Sequence, residues 1–151
     1  MLTVTLAEDL RAAGLRWSPR PGDRFVLPGR GMDDEVFVLS DMTVEVHQFP
    51  TGQVIGFNGV TEWALDSVEV GEALWLPLEH QLRDLLGGMF VRLEAVGADT
   101  AGSGDAAGSA AWAVTTRLPD GSTDTHTAAH PDLAYAGALL AVLRTVTAPA
   151  G

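Results

Sequence analysis

Apolar positions recur with two different periods along the chain, and each change of period marks an element. In "TLAEDLRAAG" Leu6, Leu10 and Ala13 fall on one helical face, Thr5 and Glu8 stand at capping-box spacing, and Gly14 is placed to end the helix. The spacing predicts a short helix that docks on the rest of the chain, because short isolated helices are marginal in water. Pro19, Pro21 and Gly22 then forbid helix, and "DRFVLP" predicts a strand stopped at Pro28. "EVFVLS" predicts a second strand. In "MTVEVHQF" Met42, Val44 and Val46 alternate with Thr43, Glu45 and His47, the signature of a strand with one apolar face. "PTGQ" is a turn signal and "QVIGF" the returning strand, so the first half predicts an antiparallel meander.

Period two gives way to period 3.6 in the second half. "NGVTEWALDSVEVGEALWLP" admits a short helix capped by Thr61 and carrying Trp63, Ala64 and Leu65, against which stand the surrounding β-branched residues and glycines. Pro77 fits a first-turn position, and Leu78, Leu82, Leu85 and Leu86 form a stripe ended by Gly87 and Gly88, which predicts a helix. "MFVRLEAV" predicts a strand with Arg92 and Glu94 on one face. Residues 97–110, "GADTAGSGDAAGSA", carry no large apolar group and predict a flexible loop. "AWAVTTRL" and "TDTHT" flank the turn "PDGS" as a second hairpin. "PDLAYAGALLAVLRTV" predicts a closing helix, with Leu133, Gly137, Leu140 and Ala141 or Arg144 on successive turns.

The order α-β-β-β-β-(α)-α-β-β-β-α predicts the α+β class: an antiparallel sheet of about seven strands, or two abutting sheets, with helices packed on it. At 151 residues the chain suits a single domain, 1–151, with an N-terminal helix and meander over 1–70 and an α-β-β-β-α half over 71–148.

Composition narrows the chemistry. The chain has no cysteine, which removes disulfides, thiolate catalysis and thiolate metal sites. All nine cations are arginine, so lysine Schiff bases and lysine-dependent phosphoryl transfer are excluded as well. The opening residues carry Glu8 and Asp9 where a secretory leader would be apolar, and no apolar run approaches the roughly 20 residues that span a bilayer. A cytoplasmic protein without membrane contact is expected.

The formal net charge of −11 is unevenly spread. Residues 1–30 hold five arginines against three acids (+2), and residues 31–151 hold four against seventeen (−13). Phosphate polymers need clustered cations, so no nucleic-acid partner is expected. The terminal α-β-β-β-α order is shared with double-stranded RNA-binding domains, yet residues 77–148 offer only Arg83, Arg92, Arg117 and Arg144 to meet phosphates.

Catalytic signatures are missing: there is no G-x-S-x-G elbow, S-x-x-K, H-E-x-x-H or phosphate loop. Asp33, Asp34, Glu35 and Asp41 lie close enough to suggest a cation loop, but the stretch runs into strand and reads as a solvated turn, so no metal and no cofactor are expected. His126 and His130 have i, i+4 spacing, but Pro131 puts them on different elements.

Two functional readings remain. The favoured one is a non-catalytic acidic interaction or regulatory module that binds an unidentified protein partner through a sheet edge or a tryptophan-lined groove; Trp17, Trp63, Trp75 and Trp112 serve either as that surface or as core anchors. The alternative is a small-molecule or nucleotide-binding protein, with an enzyme as one form of it, using the arginine-rich segment 16–30. There Arg24 and Arg30 would contact an anion, Trp17 would stack, and Glu45 or His47 would move a proton. Against a cationic stripe, the prolines scatter Arg16, Arg20 and Arg24, and Asp33 to Glu35 are expected to neutralise arginines across the "PGRGM" turn.

The blocks "GLRWSPRPGDRFVLP", "DDEVFVLSDMTVEV", "GQVIGFNGVTEWALDSV" and "LWLPLEHQLRDLL" together resemble a group of small uncharacterised actinobacterial proteins, over about residues 8–94. Some members carry the label "pilus assembly protein", a name shared with a large ATPase family. This chain has neither the phosphate loop nor the lysine of such ATPases, so the resemblance implies a bacterial setting and no activity.

Overall fold

A computed structural model describes residues 1–40, 44–50, 52–57, 67–97 and 111–147, with the backbone alone for 32–34, 44–49, 52–57, 67 and 147. The protein is α+β, in the order α1 (Val4–Ala12), β1 (Arg24–Leu27), β2 (Met32–Val38), β3 (Val44–Phe49), β4 (Gly52–Phe57), β5 (Ser67–Glu69), β6 (Leu74–Trp75), α2 (Glu79–Leu86), β7 (Phe90–Val96), β8 (Ala111–Arg117), β9 (Thr123–Ala128) and α3 (Pro131–Thr147). Seven of these strands have four residues or more, as the hydrophobic pattern predicts. The others, β5 and β6, are three and two residues long, too short to leave a period in the sequence. The optional helix at Thr61–Leu65 and the loop at 98–110 lie outside the described residues.

The strands form three antiparallel sheets with orders β2-β1-β6, β3-β4-β5 and β7-β8-β9. The predicted meander thus divides between β2 and β3. β1 already uses both edges, pairing Arg24 with Val38 on one side and Val26 with Leu74 on the other.

Helix α1 starts two residues earlier than the Thr5 cap implies. Thr3 is the N-cap, extended at φ −80 and ψ 150, and its Oγ accepts the Leu6 amide at 3.3 Å. The helix ends as predicted: Gly14 stands at φ 103, and the amides of Gly14 and Leu15 donate to the Arg11 and Leu10 carbonyls, a Schellman closure. Helix α2 follows Pro77 and buries Leu82 and Leu86 while Leu85 stays exposed.

Helix α3 is apolar on more than one side, because β8 and β9 cover one face and α1 and α2 the other. Its small residues permit this: a Cβ on Gly137 would stand 3.5 Å from the His126 ring nitrogen of β9. The main core gathers Leu10, Leu82, Leu86, Val114, Leu139 and Val142 around α3. A second cluster joins Phe25, Leu27, Leu39, Val68 and Ala73, with Trp17 and Phe37 against it. Alternation along β1 serves both, since Val26 enters the first and Phe25 and Leu27 the second. Among the described residues no helix is long and apolar enough to cross a membrane.

Candidate functional site

The segment between α1 and β1 is extended, and from Leu15 to Arg20 its residues alternate. Leu15, Trp17 and Pro19 are half-buried, while Arg16, Ser18 and Arg20 are exposed. The Asp23 amide closes a turn on the Arg20 carbonyl at 3.1 Å, with Pro21 and Gly22 (φ 89) at its centre, the pairing of residues that a type II turn favours. This turn delivers Asp23 into the interior at 2% exposure.

A buried carboxylate is tolerated only when donors surround it. Asp23 Oδ2 accepts from the Trp17 indole Nε1 at 2.8 Å and the Arg20 amide at 2.9 Å, and Oδ1 accepts from Gln81 Nε2 at 2.5 Å. Gln81, in the first turn of α2, uses its Oε1 to accept the Leu78 amide at 2.9 Å, so one side chain fastens the α2 start to the loop. The segment that reads as an anion cradle is therefore organised around an internal anion.

With the indole fixed by Asp23, the Trp17 ring lies 6.4 Å from that of Trp75 at 10° between planes and 5.6 Å from Phe25. Two shallow hollows meet at this aromatic wall. One of about 250 Å³ is bordered by Arg16, Arg20, Trp75, Gln81, Asp84 and Leu85. The other, of about 170 Å³, is bordered by Arg11, Leu15, Arg16, Trp17, Val70 and Trp75. Arg16 and Trp75 belong to both. The Trp75 Nε1 is buried without a hydrogen-bond partner among the described residues. Ion pairs of the described residues join Met1 to Asp132, Arg30 to Glu72 and Arg92 to Glu94, and the His126 ring hydrogen-bonds to the Asp124 carboxylate; Arg11, Arg16 and Arg20 take part in none of these contacts.

Of the residues singled out from sequence as a ligand site, the three with described side chains, Trp17, Arg24 and Arg30, do not line one hollow. Trp17 lines the smaller hollow. Arg24 borders a separate cavity of about 370 Å³ with Leu76, Pro77, Glu79, His130 and Asp132. Arg30 is held by Glu72 at 2.9 Å, a partner 42 residues away, and the side chains of Asp33 and Asp34 across the turn lie outside the described residues. Glu45 and His47 stand on β3, opposite Gly56 and Val54, and their side chains lie outside the described residues, as does Asp41. Among the described residues no group of three or more His, Asp or Glu side chains is arranged to hold a metal ion.

What sequence reasoning missed is the set Arg16, Arg20 and Gln81, while Trp75 is among the four tryptophans it offers as a surface or as core anchors. The alternation of residues 15–20 was a usable signal for the two arginines; nothing local points to Gln81. The groups with shifted titration lie elsewhere. Burial and the nearby Glu79 charge raise the Tyr135 phenol against the opposing effect of Arg83, and the Ser122 hydroxyl and amide lower Asp120. Comparison with protein-family models, with curated proteins and with solved structures returned no match.

Proposed function

We propose that the protein is a non-catalytic interaction module of the bacterial cytoplasm, of the actinobacterial group its sequence blocks resemble, and that it holds a segment of another protein in the tryptophan-lined groove beside Arg16. One observation carries this reading: the stacked Trp17 and Trp75 rings separate two adjoining hollows that share Arg16 and Trp75. Aromatic and arginine side chains dominate binding energy at protein interfaces, because they combine large apolar area with directed polar contacts. Each hollow falls below the roughly 300 Å³ at which small-molecule pockets begin, and suits an amino-acid side chain better than a cofactor.

The test uses Leu85, which is 39% exposed on the rim and can change without disturbing the core. A partner is recovered from lysate with the intact protein, identified, purified and titrated back. Leu85→Glu should weaken that reconstituted complex about tenfold or more, while Thr125→Glu on the far sheet leaves it unchanged. Equal effects of both substitutions, or none, would remove the groove from the interface.

The alternative, ligand binding, draws support from the 370 Å³ cavity beside Arg24, which is large enough for a metabolite. A thermal-shift panel of nucleotides and phosphorylated metabolites against the intact protein and Arg24→Ala decides it. A stabilisation lost in the variant would favour this reading, and no shift across the panel would end it.

A further inference from the structure

The two hollows differ in chemistry, and the difference specifies an occupant. The smaller is walled largely by apolar groups, among them Leu15, Trp17, Val70 and Leu74, with Arg11 and Arg16 at its margin. The larger offers Arg16 and Arg20 beside the apolar Trp75 and Leu85. Two acids touch the pair of hollows, Asp23 and Asp84. Asp23 has both carboxylate oxygens bonded to internal donors, which leaves Asp84 as the one acid of these linings with no such bonds. Three exposed arginines, none in an ion pair with a described residue, thus border an aromatic surface in a chain of formal net charge −11.

Guanidinium groups on a protein surface are mobile and individually weak binders, but a carboxylate brought against two of them beside a water-excluding aromatic wall gains charge-assisted, bidentate bonds. The buried Nε1 of Trp75, which has no acceptor among the described residues, adds a donor on the residue common to both hollows.

We infer that the groove's occupant is an acidic linear segment of a partner protein, which seats one apolar side chain in the hollow beside Trp17 and presents carboxylates to Arg16 and Arg20. This rests on the groove reading above and adds to it the sign of the partner's charge. The strong negative charge elsewhere on the chain repels acidic segments from other surfaces, so the same arginines give specificity as well as attraction. Asp84 then acts as a discriminator, opposing acids placed too close to the α2 side of the groove.

The experiment is a selection of short random peptides displayed on phage against the immobilised full chain, followed by titration of synthetic versions of the enriched peptides. Salt is a poor readout here, because screening weakens the local attraction and the global repulsion together. Substitution separates them. The enriched peptides should carry aspartate or glutamate beside an apolar residue. They should bind Arg16→Glu/Arg20→Glu about tenfold or more weakly, bind Asp84→Asn more tightly, and be indifferent to Arg117→Glu, an exposed arginine on another sheet. Enriched peptides without acids that nonetheless lose affinity in Leu85→Glu would overturn the inference while sparing the groove reading. Peptides that ignore Leu85→Glu, or no enrichment at all, overturn both. Self-association by light scattering that Arg16→Glu/Arg20→Glu abolishes would make a second copy of the chain the occupant, and so overturn the inference.

Discussion

Two parts of this molecule are held together by opposite means. Around α3, Leu10, Leu82, Val114, Leu139 and Val142 pack without polar contacts among them, and stability there scales with apolar area removed from water. Around Asp23, three donors from positions 17, 20 and 81 converge on one carboxylate, and one of those bonds holds the Trp17 ring beside Phe25 and Trp75. The first arrangement is non-directional and forgiving of small shifts. The second is directional, and it fixes the walls of the groove.

The contrast can be broken most severely at Leu82, which is fully buried in α2. Leu82→Ala should cost about 2–5 kcal/mol by the transfer and cavity terms, read as a lower denaturant midpoint at unchanged slope. A loss under about 1 kcal/mol would mean that the α3 core repacks freely and is less well ordered than its burial implies. Asp23→Asn probes the other side. It exchanges an acceptor for a donor in a ring of donors and should cost about 1–3 kcal/mol. Hydrogen exchange sharpens the difference, because the Arg20 and Leu78 amides should lose protection while the amides of α3 keep theirs. Uniform loss across both regions would show that the two form one cooperative unit. The smallest effect is at Gly137, where an added Cβ would meet the His126 ring at 3.5 Å, an ordinary contact distance. Gly137→Ala should therefore stabilise the protein by about 0.5–1 kcal/mol through helix propensity, measured as a raised thermal midpoint. Destabilisation instead would place the helix and sheet at the limit of close packing.

The same division explains what could be read from the chain. Elements whose causes are local were legible: the leucine stripe after Pro77, the Gly14 stop, and the Arg92–Glu94 pair, now seen at 3.0 Å on one strand face. The Thr3 cap was misplaced by two residues because Thr5 and Glu8 supply the same spacing. The role of Asp23 could not be read, since its third donor lies 58 residues away and any aspartate after Pro-Gly looks like a turn residue. The two short strands, which put Val68 into the second cluster and Trp75 opposite Phe25, are held by long-range pairing rather than by pattern. For the same reason the strand signal draws attention to Arg24 and Arg30, whereas alternation in the extended segment before it turns Arg16 and Arg20 outward.

The double use of β1 has a consequence for how this architecture can vary. Val38 and Leu74 sit on opposite neighbours of one four-residue strand, two interstrand spacings apart, about 10 Å. Thirty-five residues lie between them, and of those described Leu39, Val68 and Ala73 are buried in the second core cluster with Val70 packed against it. Loop-closure entropy rises only slowly with length, so the stretch between the buried Leu39 and Val68 tolerates insertion at little closure cost. It can lengthen, shrink or acquire its own specificity while the strand beneath it keeps its register.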